Sequence, residues 1–459
     1  MGKPKDTFDD ISPIDYRYWD EETAKYLSEK AFVKYKILVE ISLAKALYER
    51  GMYSESVFRE IKAACGQVTV EEVYDEEKRI HHDVRALVNC IRANVSAEAK
   101  PYIHLTATSY DIVDTANALR YKQACENVLV PALINLEEVL ISLALKEAET
   151  TQVGRTHGQH AVPITFGFAV AGYISRIGKC IKALNLRSEE LTGKFSGATG
   201  AYNASSLFFD DPENFEQDIL SELGLFASEH STQIVPPEAF TRLFSEIIIV
   251  AGVLANLADD MRNLQRTEIA EIQEDFEETQ VGSSTMPQKQ NPISFENVKS
   301  SWKIVVPRMI TVYMDQISEH QRDLTNSASS RTYSEIITYV VYMAKRLTQA
   351  MGSIKVNKRN IKRNLSMQKG LILAEPLHVV LAALGHPDAH EKVKTLVRKA
   401  QDENCNFHDV IICDSEIQKY LEKMTREQQK AVSSVFSYSG IAAEKSKTIA
   451  KKWKRELGL

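Results

Sequence analysis

The segment Gly282-Ser283-Ser284-Thr285-Met286-Pro287-Gln288-Lys289-Gln290-Asn291-Pro292 concentrates residue types that grip and transform anions. Its hydroxyls and backbone N–H groups can bind a carboxylate, Lys289 supplies positive charge and Asn291 an amide donor. Two prolines limit the shapes it takes. The plainest reading of such a stretch is a flexible connection between helices; the chemical reading is an anion-gripping lid. Two further stretches carry groups suited to proton transfer. Gly154-Arg155-Thr156-His157-Gly158-Gln159-His160-Ala161-Val162-Pro163 places two histidines three residues apart, and His104 precedes Thr106-Ala107-Thr108-Ser109-Tyr110-Asp111. Imidazole exchanges protons near neutral pH, although a lone histidine is more often structural. No cysteine or carboxylate spacing around these histidines suits zinc.

Such segments need rigid supports. The chain has 459 residues with only 19 Gly and 13 Pro, so turns are few and elements long. Apolar three-and-four spacing predicts helices over 22–52, 55–64, 69–95, 110–127, 131–150, 162–192, 236–268, 292–318 and 332–352. The clearest stripe is Leu243, Ile247, Val250, Leu254, Leu257, Met261 and Leu264. No strand pairs are expected, and the VSSVFSYSG stretch is ambiguous. The expected fold class is all-α in three domains: 1–105, a long-helix bundle over 106–350 carrying the 282–292 segment, and 351–459. Helices this long, with such apolar faces, suit burial against partner subunits.

Composition narrows the function. Hydrophobic residues make up 44% and charged residues 26%, as in soluble globular proteins. A net charge of -6 argues against a nucleic-acid partner, which calls for a basic footprint. Cys65, Cys90, Cys125, Cys180, Cys405 and Cys413 form no CxxC pair and are expected as reduced, buried thiols of a cytosolic protein. The opening MGKPKDTFDD has no apolar leader, and Asp6 stands where a myristoylation motif wants Ser or Thr. The apolar run Ile247 to Leu257 is shorter than the roughly 20 residues a membrane span needs, so no membrane partner is expected. The acidic run Glu271 to Glu278 reads as a solvated helix end or mobile loop. The basic run Lys445 to Arg455 reads as a solvated C-terminal helix.

GSSTMPQKQNP resembles the signature loop of the fumarase/aspartase superfamily, of the form GSSxMPxKxNP. The 154–163 and 104–115 stretches resemble that superfamily's second and first conserved regions, in the same order, so the resemblance covers essentially the whole chain. Four weaker pieces are similar to the branch acting on succinylated purine nucleotides. They are Ser12-Pro13-Ile14-Asp15-Tyr16-Arg17-Tyr18; His81-His82-Asp83-Val84; Gln233 within Thr-Gln-Ile; and Gln321-Arg322-Asp323-Leu324-Thr325-Asn326-Ser327 with Arg331. Tyr16 departs from a glycine common in bacterial relatives and leaves Arg17 and Tyr18 in place.

The resemblance implies a homotetramer with a multi-helix core, each site built from three subunits, with no metal or organic cofactor. It implies elimination of fumarate from adenylosuccinate, giving AMP, and from the succinylcarboxamide ribotide (SAICAR), giving AICAR. His157 would be the general acid and Ser283 the general base. Ser284, Lys289 and Asn291 would bind the succinyl carboxylates and the charge that develops on them. Arg17, Arg322, Ser327 and Arg331 would hold phosphate, and Tyr18 would meet the nucleotide. His81, His82, Asp83, His104, Thr108, Ser109 and Gln233 would complete the pocket. For His160, packing and partnership with His157 stay equally open. Serine is a poor base, and nothing in the sequence says what stabilises its alkoxide. The competing readings are another lyase of the superfamily, of argininosuccinate or carboxymuconate type, and a non-catalytic protein on the same fold.

Overall fold

Helices dominate because so little in the sequence interrupts them, and each interruption has a local cause. The computed structural model describes residues 10–276 and 279–459; the expectations for the N-terminal leader and for Glu277 and Glu278 fall outside them. The 22–52 helix is two, Glu21–Leu27 and Glu29–Glu49, because Ser28 is extended and its hydroxyl accepts from the Ala31 N–H at 3.1 Å, starting a new helix. The 69–95 helix divides into Val70–Ile80 and Asp83–Ala93. His81 ends the first in the left-handed region (φ 56), and His82 caps the second. The 292–318 helix divides at Pro307 into Ile293–Val305 and Arg308–Met314. Before Pro131, which lacks an N–H, the Ser109–Ala124 helix passes through a π turn at Cys125–Leu129 and continues as Val130–Lys146. The ambiguous C-terminal stretch contains a 3₁₀ turn, Val435–Ser437.

The expectation of no strand pairs is wrong at one place that matters. Strand β1 (Thr151–Thr156) pairs antiparallel with β2 (Gln159–Thr165). Val153, Thr156, Val162 and Thr165 are β-branched, and His157-Gly158 supplies two consecutive positive φ values (54 and 73), the signature of a two-residue hairpin turn. Helical spacing through Ala161 and Ile164 hid this alternation. The remaining pairings, Thr192–Gly193 with Phe226–Ala227 and Ile272–Gln273 with Lys355–Val356, are two residues long, and the fold is all-α in class.

The chain divides into two compact units. The first comprises residues 1–133, 180–252 and 300–345; the second comprises 134–179, 253–299 and 346–459. In the first unit the Glu29–Glu49 helix packs on Ser109–Ala124 and on Pro212–Glu222. Leu43, Leu47, Leu87, Ile91, Ile112, Phe215 and Phe244 are buried there. In the second unit Val153 of β1 joins a core with Leu365, Leu373, Leu377, Leu396, Phe407 and Ile417, which anchors the hairpin.

The C-terminal Ala442–Glu456 helix buries Ala443, Ser446, Ala450 and Trp453 and exposes Lys451, Lys452, Lys454 and Arg455. The stretches Ser109–Lys146 and Glu238–Leu264 are long and apolar enough to cross a membrane by length and composition, yet 61% and 56% of their apolar windows are buried within the fold. Cys65, Cys125 and Cys180 are buried free thiols. Cys90 and Cys405 are half-buried and Cys413 is exposed, correcting the expectation that all six lie inside.

Candidate active site

The first unit contains a cleft of about 750 Å³ lined by His81, His82, Asp83, Ser109, Gln233, Ser327 and Arg331. Seven residues from four distant stretches of chain thus meet at one cavity. Arg17, Tyr18, His104, Thr108 and Arg322 are outside its lining, but four of them are tied to segments that line it. Tyr18 sits between Tyr339 and Tyr342, with ring centroids 5.6 and 4.9 Å away, and precedes Trp19 in the cleft wall. Arg322 donates to the hydroxyl of Tyr110, a wall residue, with its guanidinium 3.5 Å from that ring's centroid. The Thr108 N–H donates to Asp111 at 2.7 Å, starting the helix whose first residue, Ser109, faces the cavity. His104, forced to φ 62, places Nδ1 2.7 Å from the buried carboxylate of Glu40. Burial alone favours a neutral ring there, but the Glu40 charge and hydrogen bond outweigh it and raise the His104 pKa. Arg17 is exposed.

Sequence reasoning missed several wall and support residues. Arg120 is buried, stacks over Phe32 at 4.1 Å and donates to Asn117 and to the Tyr121 hydroxyl, each at 2.9 Å. An arginine in the middle of an apolar helical run was its signal. Lys36 lies 3.5 Å from Asp83 and 4.5 Å from the Phe32 ring centroid. Asp20, Glu29 and Glu335 line the cleft, and Glu29 lies 4.0 Å from Arg331. Beneath the helix start, fully buried Lys194 and Asp111 form an ion pair, and Asp111 also accepts from the Gly197 N–H at 3.3 Å. Asp114 accepts from the Val235 N–H at 2.9 Å and thereby holds the Gln233 loop; burial pushes its carboxyl up to about 6.

The second unit holds the hairpin and the signature loop. His157 is exposed at the hairpin tip, where a left-handed conformation is tolerated only because it belongs to the turn. A bulge at Gly154 shifts the register between Val153 and Arg155, and a Cβ at Gly154 would lie 2.6 Å from the Val162 carbonyl oxygen. His160 pairs across the strands with Arg155. Burial, then the Arg155 charge, lowers its pKa, and its Nδ1 is buried without a hydrogen bond.

In the loop, Ser283 Oγ accepts from the backbone N–H groups of Met286 (3.1 Å) and Thr285 (3.4 Å). Asn291 Nδ2 donates to the Gly282 carbonyl at 2.8 Å. A Cβ at Gly282 would meet the Lys289 carbonyl oxygen at 2.1 Å, so only glycine allows this closure. Ser284 and Lys289 are exposed. Two members of the acidic run before the loop depart from the solvated-end expectation, while Asp275 is exposed: Glu271 and Glu274 are buried, and Glu274 accepts from the Ser294 and Phe295 N–H groups that open the next helix. Among the described residues no cluster of three or more His, Cys, Asp or Glu side chains forms a metal site.

A family profile described as lyase matches residues 12–306, and one described as the adenylosuccinate lyase C-terminal region matches residues 318–430. An adenylosuccinate lyase of Pyrococcus horikoshii is 38% identical over 426 residues, covering 92% of this chain and 94% of that protein. One of Archaeoglobus fulgidus is 32% identical over 451 residues, covering 97% and 99% respectively. A solved 3-carboxy-cis,cis-muconate lactonizing enzyme from Pseudomonas putida superposes with a TM-score of 0.85 at 24% identity, covering 97% of this chain and 99% of that one. That likeness speaks to the fold, whereas the sequence relatives and the C-terminal profile discriminate within it. The chain belongs to the adenylosuccinate lyase family of the fumarase/aspartase superfamily.

Proposed function

We propose that the protein eliminates fumarate from adenylosuccinate, giving AMP, and from SAICAR, giving AICAR, as a cytosolic homotetramer. The proton to be removed lies beside a carboxylate and is very weakly acidic, so the doubly charged aci-carboxylate that forms must be stabilised. Ser283, reacting as its alkoxide, takes this proton and becomes the neutral hydroxyl, and Ser284, Lys289 and loop N–H groups receive the succinyl carboxylates. Asn291 joins them once its amide leaves the Gly282 carbonyl. His157 gives a proton to the departing nitrogen as the carbon–nitrogen bond breaks.

The observation that carries this reading is the pair of backbone N–H groups directed at Ser283 Oγ. They supply what a serine base otherwise lacks, a preorganised positive field that stabilises the alkoxide before it takes the proton.

The nucleotide end follows from charge and shape. Arg331 and Ser327 in the cleft wall, with Arg17 and Arg322, suit a phosphate. The tyrosines around Tyr18 suit a base or ribose face. Glu40 favours the protonated form of His104 near the helix start that carries Thr108 and Ser109. His81, His82, Asp83 and Gln233 supply polar groups around the same cavity. Sites shared among subunits, as the resemblance implies, are the means by which separate segments meet one substrate, and the three-part domain division is retained in this proposal.

The test is the ultraviolet absorbance of adenylosuccinate mixed with the protein, with Ser283→Ala as control. Conversion to AMP with fumarate release, absent in the variant, is expected. No spectral change with a confirmed wild-type tetramer overturns the reading.

A further inference from the structure

The hairpin that carries His157 is held from below by a single carboxylate. Glu271 is fully buried and collects four contacts from two elements. Gln152 Nε2 donates to it at 2.5 Å, Arg155 Nη2 at 2.5 Å and Nη1 at 3.4 Å, and Asn364 Nδ2 at 2.8 Å. Its own backbone is fixed too: the N–H bonds to the Leu264 carbonyl at 3.0 Å, and the Asn357 N–H bonds to its carbonyl at 2.8 Å. The next two residues, Ile272 and Gln273, pair with Lys355 and Val356.

This arrangement depends on the bulge. In a regular strand, residues three apart point to opposite faces. Gln152 and Arg155 are three apart and reach the same carboxylate, because the extra residue at Gly154 resets the alternation. After the reset only Thr156 separates Arg155 from His157. The same short segment reaches toward the signature loop. Glu274, three residues after Glu271, caps the helix that follows the loop, and its N–H donates to Gln265 Oε1 at 2.9 Å.

We propose that Glu271 is a positioning residue for the elimination: through Arg155 and the Gly154 bulge it fixes where the hairpin presents His157. This rests on His157 being the general acid. The energetic reason is the buried pair itself. Glu271 is fully buried and Arg155 17% exposed, so any tilt of the hairpin tip pulls the guanidinium off a carboxylate shut away from solvent. A proton donor must be held to within about 0.5 Å of its productive position, and a displacement of about 1 Å costs on the order of a hundredfold in rate.

The experiment compares Glu271→Gln, Glu271→Gln/Arg155→Met and His157→Ala in steady-state kinetics, with circular dichroism and oligomer mass as controls. The double variant removes both charges, so no guanidinium is left stranded. Glu271→Gln is expected to lose about ten- to a hundredfold in kcat with KM within about threefold, the range a misplaced catalytic group gives. The double variant is expected to refold well and still be slow. Wild-type kcat in the folded double variant overturns the proposal, because the loss in the single variant then came from a stranded charge. A raised KM at unchanged kcat overturns it as well. If Glu271→Gln does not fold, the double variant is judged by the same limits. If His157→Ala keeps its turnover, the acid assignment falls and the inference with it. An inactive His157→Ala beside a fully active double variant removes the positioning role alone.

Discussion

The cleft and the hairpin–loop pair are built on opposite plans. The cleft in the first unit draws residues from four stretches between His81 and Arg331, and its support comes from side chains far away in sequence: Glu40 under His104, Tyr110 under Arg322, Asp114 under the Gln233 loop. The groups proposed for chemistry lie within short segments whose shape is set largely by their own backbone. Two residues of positive φ make the tip at His157, and two N–H groups of the loop itself face Ser283. A binding surface needs breadth, which only the fold provides. A proton-transfer group needs a fixed local geometry, which a turn of a few residues provides. The difference teaches that substitutions in the two regions should fall on different kinetic constants.

The largest effects test that division directly. Ser283→Ala and His157→Ala should each lower kcat by about 10²–10⁴-fold, the range for loss of an acid or base, with helix content unchanged. Near-normal turnover in folded Ser283→Ala would remove the serine base. Next in size, Arg331→Ala or Arg322→Ala should raise KM about ten- to a hundredfold, the worth of a charge-assisted contact, while kcat changes little. A fall in kcat at constant KM would instead mean that the cleft takes part in the chemical step, and the comparison would break. A third outcome concerns the loop against the hairpin. Limited proteolysis should cut within 279–291, whose Ser284 to Gln290 stretch is exposed, before it cuts the hairpin, which Val153 and Arg155 tie to buried groups. Product should slow the loop cut; equal rates with and without it would argue against closure.

The smallest effect is on stability. His104 has Glu40 as partner, but Glu137, in the second unit, is fully buried with no side-chain partner among the described residues, and the Gly178 backbone offsets that burial only in part. Burial pushes its carboxyl from 4.5 up to about 9. Between those two values the unfolded chain gives up a proton that the fold retains, so stability falls as pH rises and the loss is complete once pH passes the folded value. Glu137→Gln removes this titration. Its melting temperature should gain on wild type steadily from about pH 5 to pH 9 and hold its lead above that. A gap independent of pH would show that the carboxyl does not titrate in this way.

Much of this was legible in the sequence, for reasons that follow the same contrast. Ser283, Lys289, Asn291 and His157 stood out because their neighbours in sequence are also their neighbours in space. The helices were readable from apolar spacing, while their breaks were not: Ser28 and His82 act through single side-chain caps that look like ordinary helix residues. The hairpin was hidden because its turn depends on His157 adopting a conformation that histidine rarely takes. Glu271 and Glu274 were misread as solvent-facing because a run of acids gives no sign that distant Arg155, Gln152 and Asn364 converge on one of them. Arg120 and Glu40 went unnoticed for the same reason, since burial of a charge is decided by elements the local sequence does not contain.

The break between His81 and Asp83 has one more consequence. His82 Nδ1 accepts the Arg85 N–H at 3.2 Å to start its helix, so that nitrogen carries no proton. The ring is therefore the Nε2–H tautomer. What His82 offers to the cleft is an Nε2–H donor whose orientation is set by a helix end, which suits an acceptor oxygen on the nucleotide proposed to bind there. In the proposed complex one nitrogen of this residue would read the ligand while the other holds the backbone.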